Sequence, residues 1–223
     1  MGKAWRARLL VAVLVVVAAG GCNPFTMFWF LIGGPEDKMP PEFPLTAEEK
    51  GKEVKLLVLT SCSLDVSQEF IGIDRMIASE FIQTLTEGCK ANKEKVTIVS
   101  ANQVEKYKSD HPNWRAQDPT KVGQHFEADY VIDLEVLGIS LYPEKTREFL
   151  QGRAAINVNA YNLKKPDEEP RKTDYTVEFP RGRYEDASNT TASKFRHEFV
   201  HRIALDLSWK FTAHEYRDHF EVD

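Results

Sequence analysis

Val54-Lys55-Leu56-Leu57-Val58-Leu59, closed by Thr60-Ser61, is a short apolar run of strand length and predicts a buried β-strand. Downstream of it, apolar residues recur at Phe70, Ile73, Met76, Ile77, Phe81, Ile82 and Leu85, which is helical spacing with one apolar face. A helix is therefore predicted from Glu69 to Gly88, with the glycine as its stop. Val96–Val99 is a second strand and Ala101–Lys108 a short helix. Asp118-Pro119 marks another helix start, an acceptor side chain followed by proline at the first helical position, and this helix runs to about Glu127. Tyr130–Ile139 is a third strand. Ala154–Leu163 is a fourth, with Ile156, Val158 and Ala160 alternating against Asn157, Asn159 and Tyr161. Tyr175–Phe179 is a fifth. Phe195, Phe199, Ile203, Leu207 and Phe211, spaced by four, predict a long final helix from Ser188 to about Ala213.

The order is thus β-α-β-α-α-β-β-β-α. Early strands separated by helices predict parallel pairing, and the last three predict an antiparallel meander. The expected fold is α/β (α+β): a mixed five-stranded sheet with amphipathic helices packed on it.

The start of the chain has a different character. Lys3, Arg6 and Arg8 precede an unbroken apolar run from Leu9 to Ala19, which ends in Ala18-Ala19-Gly20-Gly21-Cys22. A basic region, an apolar stretch of this length and small residues before a cysteine read as a lipoprotein signal peptide. Residues 1–21 are the expected leader, and Cys22 is the expected lipidation site, carrying diacylglycerol and palmitate. Ala19 stands where leucine is usual. The alternative is an uncleaved membrane anchor, because Phe25–Ile32 extends the apolar character to a bilayer-spanning length. Either reading puts the rest of the chain outside the cytoplasm.

Residues 22–53 are expected to hold the lipidated cysteine, an apolar segment and a tether made extended by Pro35, Pro40, Pro41 and Pro44. The globular α/β domain spans 54–213 and a charged tail 214–223. The leader holds three of the 29 basic residues, so 26 remain against 34 acidic ones. A surface of that sign repels phosphate backbones and argues against a nucleic-acid partner.

Cys62 and Cys89 stand in an oxidising compartment on this reading, where a disulfide is the default. The predicted geometry argues otherwise. Cys62 follows the first strand, and Cys89 follows the helix that returns antiparallel to it, about 30 Å long. A disulfide needs Cα atoms within about 7 Å, so two unpaired, buried thiols are predicted.

Ala128-Asp129-Tyr130-Val131-Ile132 enters a strand straight from a short helix. Together with Lys55–Leu59, the helix after it, Val96-Thr97-Ile98-Val99 and the late strand-plus-helix ending, it resembles one group of envelope lipoproteins. That group includes the curli secretion-channel lipoprotein, the lipoprotein activators of penicillin-binding proteins and the N-terminal domain of TolB. The resemblance covers about Val54 to Phe211. It departs at Asp133, where the group often has glycine, and in the long loop Tyr142–Gln151. It implies a non-catalytic domain that binds another envelope protein or associates with itself, on a lipid-anchored chain at the periplasmic side of the outer membrane. It implies no cofactor and transfers no catalytic residue.

One motif competes. His197-Glu198-Phe199-Val200-His201 matches H-E-x-x-H, in which two histidines one turn apart hold Zn²⁺ and the glutamate is the general base of a hydrolase. The flanking Lys194, Arg196 and Arg202 are unlike such sites. The downstream third ligands, His214, Glu215 and His219, lie beyond reach of a continuing helix, and the pair falls on the solvated side of the helical wheel. The expectation is no enzyme, with a zinc-dependent hydrolase as the alternative. For partner contact the candidates are Tyr142 and Phe149 in the long inter-strand loop, and the basic-aromatic turn of Arg181, Arg183 and Tyr184.

Overall fold

In the computed structural model, which describes residues 38–45, 52–143 and 146–215, the elements in chain order are β1 (Lys38–Met39), β2 (Val54–Cys62), α1 (Leu64–Glu69), α2 (Ile73–Ala91), β3 (Val96–Ile98), α3 (Ala101–Asp110), α4 (Pro119–His125), β4 (Tyr130–Ser140), β5 (Phe149–Leu150), β6 (Gly152–Asn162), β7 (Arg171–Phe179), β8 (Glu185–Asp186), α5 (Ala192–Trp209) and β9 (His214–Glu215). The leader and Cys22 lie outside the described residues.

The Val54 run becomes β2. It pairs in parallel with β3 on one side and β4 on the other, and β4, β6 and β7 form an antiparallel meander. The five-stranded sheet is ordered β3-β2-β4-β6-β7, so the expected mixed sheet with packed helices is present. β2 reads as a continuous apolar run because both its faces are covered. Leu56 and Val58 face the larger core beneath α2 and α5, with Phe81, Ile132, Val158 and Phe199. Leu57 and Leu59 face a smaller core under α3 and α4, with Val104, Tyr107, Val122 and Val131.

Caps explain where the helices begin. Ser63, Ser100, Asp118 and Thr191 each accept a backbone N–H of the first turn of α1, α3, α4 and α5. At Asp118 the N–H and hydroxyl of Thr120 hold the carboxyl below its usual range. The helix predicted from Glu69 to Gly88 begins later, at Ile73, and a separate short helix, Leu64–Glu69, precedes it. Ser63 starts the short one, and Gly72, at φ 76°, breaks the chain before α2. Gly88 is not a stop: α2 runs on to Ala91, and the missing Cβ admits the Thr212 side chain. The last helix is shorter than predicted, from Ala192 to Trp209, because Thr191 caps it and the chain turns at Lys210. Phe211 still reaches the core.

Two short ladders complete the structure. β1 pairs with β9, and β5 with β8. The folded part therefore reaches back to Lys38, within the stretch expected as tether, and forward to Glu215. The reason is Phe43: its ring lies 5.6 Å from Phe211 and is buried, and its N–H donates to the Lys210 carbonyl at 2.7 Å. Cys62 and Cys89 are free and buried, as expected. Burial and the nearby Asp74 push the Cys62 thiol up to about 11, and burial and Glu94 push Cys89 up to about 12. Both are protonated at neutral pH and carry no nucleophilic thiolate. Among the described residues no helix is long and apolar enough to cross a membrane.

Candidate functional site

β2 and β4 run parallel, so their C-terminal ends coincide. β6 begins there and β7 ends there. This end of the sheet collects apolar side chains that the core leaves outside. Just past β2, the Ser63 N–H donates to the Val136 carbonyl at 2.9 Å, and its Oγ to the Leu137 carbonyl at 3.2 Å, which fixes α1 against β4. Leu64 of α1 is 74% exposed, and Ile71, in the turn before α2, is 89% exposed. The β4 ladder shifts between Val136 and Gly138, and Leu137 in that irregularity faces outward. Beyond β6, the β5–β8 ladder forms a lip on which the Phe149 and Tyr184 rings stand 6.0 Å apart, both exposed. These five are the large exposed apolar side chains among the described residues, and all lie at one end of the sheet. A cluster of this kind marks a contact surface, whereas scattered single residues do not.

The opposite end receives the N-terminal segment. Phe43, Pro44 and Leu45 line a small pocket with Tyr130 at the start of β4, Asn162 at the end of β6 and Arg171 at the start of β7. Phe43–Leu45, within the stretch expected as tether, thus pack at the end away from the apolar one.

The structure brings most of the predicted contact residues together. Phe149 and Tyr184, 35 residues apart in sequence, meet through the β5–β8 pairing. Arg181 and Arg183 are exposed on the turn leading to Tyr184. The lip is firmly held: the Ala187 N–H donates to the Glu148 carbonyl at 2.9 Å, and Asp186 accepts the Ser188 N–H at 2.8 Å; the Ser188 hydroxyl, and then this N–H, keep that carboxyl below its usual range. Tyr142 takes a different environment beside the lip. It is half-buried, its ring carries the Arg147 guanidinium at 5.7 Å, and it lines an open cleft of about 500 Å³ with Leu150 and Ala187–Thr191. Leu64, Ile71 and Leu137 escaped the sequence reading. Ile71 beside Gly72 was the available signal, an apolar residue in a turn.

His197, Glu198 and His201 are exposed on α5, the solvated side expected from the wheel. Nδ1 of His201 lies 2.6 Å from Oε1 of Glu80 on α2, and Glu198 lies 3.8 Å from Lys194. The histidines border a shallow groove with Phe179 and Arg202. Among the described residues no three His, Cys, Asp or Glu side chains are grouped to hold a metal ion; His219, one of the candidate third ligands, lies outside the described residues. His214 is instead stacked on Trp209 at 4.8 Å. Beneath the groove, Tyr175 donates its hydroxyl to Asp206 at 2.8 Å, and Arg202 Nε lies 3.1 Å from the same carboxylate. Burial and the Asp206 charge raise the Tyr175 phenol well above its usual value. This buried network fastens α5 to β7.

No protein-family model matches the chain, and no curated protein matches it. Among solved structures it is similar to the lipoprotein GNA1162 from Neisseria meningitidis, at 12% identity and a TM-score of 0.44 over 70% of this chain and 98% of that one. It is similar to the PelC dodecamer from Paraburkholderia phytofirmans, at 13% identity and 0.40 over 78% and 95% of the two chains. It is also similar to the rare lipoprotein B from Shewanella oneidensis, at 15% and 0.28 over 69% and 87%. Structures of similar shape thus include bacterial lipoproteins, and likenesses this loose bear on neither activity nor partner.

Proposed function

We propose that this chain is a lipid-anchored protein of the bacterial envelope whose domain, without catalysing a reaction, binds another envelope protein through its apolar end. One observation carries the reading: the exposed Leu64, Ile71, Leu137, Phe149 and Tyr184 gather at one end of the sheet, while Phe43–Leu45 pack at the other. A contact surface at the end of the sheet opposite Phe43–Leu45 leaves the exposed apolar residues free for a partner. The aromatic pair is the natural centre of such a contact, because tyrosine and phenylalanine bury large area at little entropic cost and sit beside arginines that make a polar rim.

Photo-crosslinking in intact cells tests this. A benzophenone side chain at position 149 or 184 of the full chain is expected to give one discrete heavier adduct, and the same group at Asp167, on the far end, none. Equal adducts from all three positions, or none from 149 and 184, would remove the reading. In the same cells a fatty-acid analogue is expected to label the wild type and not Cys22→Ala.

A further inference from the structure

β7 is the outer strand on one side of the sheet. β6 lies on one flank, and no described segment pairs with the other. Its ladder to β6 runs without a shift from Arg171 to Phe179. The strand contains no proline, and Thr173, Tyr175, Val177 and Phe179 put no charge on its inner face. Edges are ordinarily blunted by a bulge, a proline, an inward charge or charged side chains along the edge; from Lys172 to Phe179 β7 has neither bulge, proline nor inward charge, Arg171 at its start being the charged residue of that face, and its edge charges are Lys172, Asp174 and Glu178. Every second N–H and C=O of the strand points away from β6 and is open to strand addition.

We propose that β7 pairs antiparallel with β7 of a second copy of this chain, about a two-fold axis through Tyr175, joining two five-stranded sheets into one. The charges on the outward face and the length of the strand together favour this occupant and register; a pairing centred on Thr173 also sets Lys172 opposite Asp174 but uses only Arg171–Tyr175. Residues opposite each other across such an axis share a face, so the pairing is centred on a residue. Centred on Tyr175, Lys172 of each copy faces Glu178 of the other, Asp174 faces Thr176, and the whole strand is used. Centred on Asp174, two like carboxylates meet; centred on Thr176, Asp174 faces Glu178. Of these three registers only the first sets opposite charges together and keeps like charges apart. Lys172, Asp174 and Thr176 are exposed. Glu178 lies 3.5 Å from Arg153 of its own chain, and in the pair it stands between that arginine and Lys172 of the second copy. The isologous contact closes on itself and stops at two chains.

This pairing uses a surface apart from the proposed contact end, so either fails without the other. The test is sedimentation of the purified full chain in density-matched detergent at low salt. The wild type is expected as a dimer at micromolar concentration. Lys172→Glu and Glu178→Lys each set like charges opposite twice, and each is expected to raise the dissociation constant at least about tenfold. The double swap Lys172→Glu/Glu178→Lys is expected to restore it, with circular dichroism unchanged in all three. A monomeric wild type, an oligomer indifferent to the single reversals, or a double swap that stays dissociated overturns the proposal.

Discussion

Asp133 stands on β4 opposite Asn159, on the face of the sheet that α3 and α4 cover only in part. Burial, and then the charge of Glu135, push its carboxyl up to about 6, and a hydrogen bond with Asn159 pulls the other way. The folded state therefore prefers this acid protonated. The group's contribution to stability is full below about pH 4, the ordinary carboxylate value, and is lost as pH rises through about 6. Asp133→Asn keeps the shape and removes that loss. It is expected to raise the melting temperature at pH 8 by a few degrees and to leave it unchanged at pH 4, as thermal unfolding at both values will show. In the sequence Asp133 is legible only as a departure from a family glycine. Its half-buried state depends on how far two short helices reach across the sheet, which no local pattern encodes.

The strands and long helices were legible because each carries its own period: the unbroken run of β2, the alternation of β6 and the four-residue steps of α5. What escaped was too short to have a period, or depended on a partner distant in sequence. α1 is six residues long, and β5 and β8 are two each, defined by one another across a turn. The proline-rich stretch read as tether because Phe43 gives no sign of its partner Phe211. Close packing between elements was equally hidden. Gly152 begins β6 where α5 crosses it, and a Cβ there would stand 2.5 Å from the Phe199 ring. Gly152→Ala is expected to destabilise the domain by about 1–3 kcal/mol, measured as a lower urea midpoint with an unchanged slope. An unchanged midpoint would mean that α5 shifts freely over β6.

At the scale of the molecule the domain has two unlike ends. The predicted leader pointed outside the cytoplasm and composition away from nucleic acid, and neither gave a sign of this polarity, because which loops share an end follows from strand direction. Phe149 and Tyr184 were legible as candidates and Leu64 and Ile71 were not, yet the topology sets them at the same end. The exposed pair holds little of the fold. Phe149→Ser/Tyr184→Ser is expected to change unfolding free energy by no more than about 0.5 kcal/mol while abolishing the discrete adduct from a photo-crosslinker at position 137; a large loss of stability would make the lip a structural element instead. The other end has a mechanical consequence. A pull on the chain ahead of Lys38 loads the two-residue β1–β9 ladder and the Phe43 contact first, and the long ladders of β2 only afterwards. Peeling that segment releases a leash from Lys38 to Glu53 of up to roughly 50 Å. Length held at that end is thus let out under load with the sheet intact.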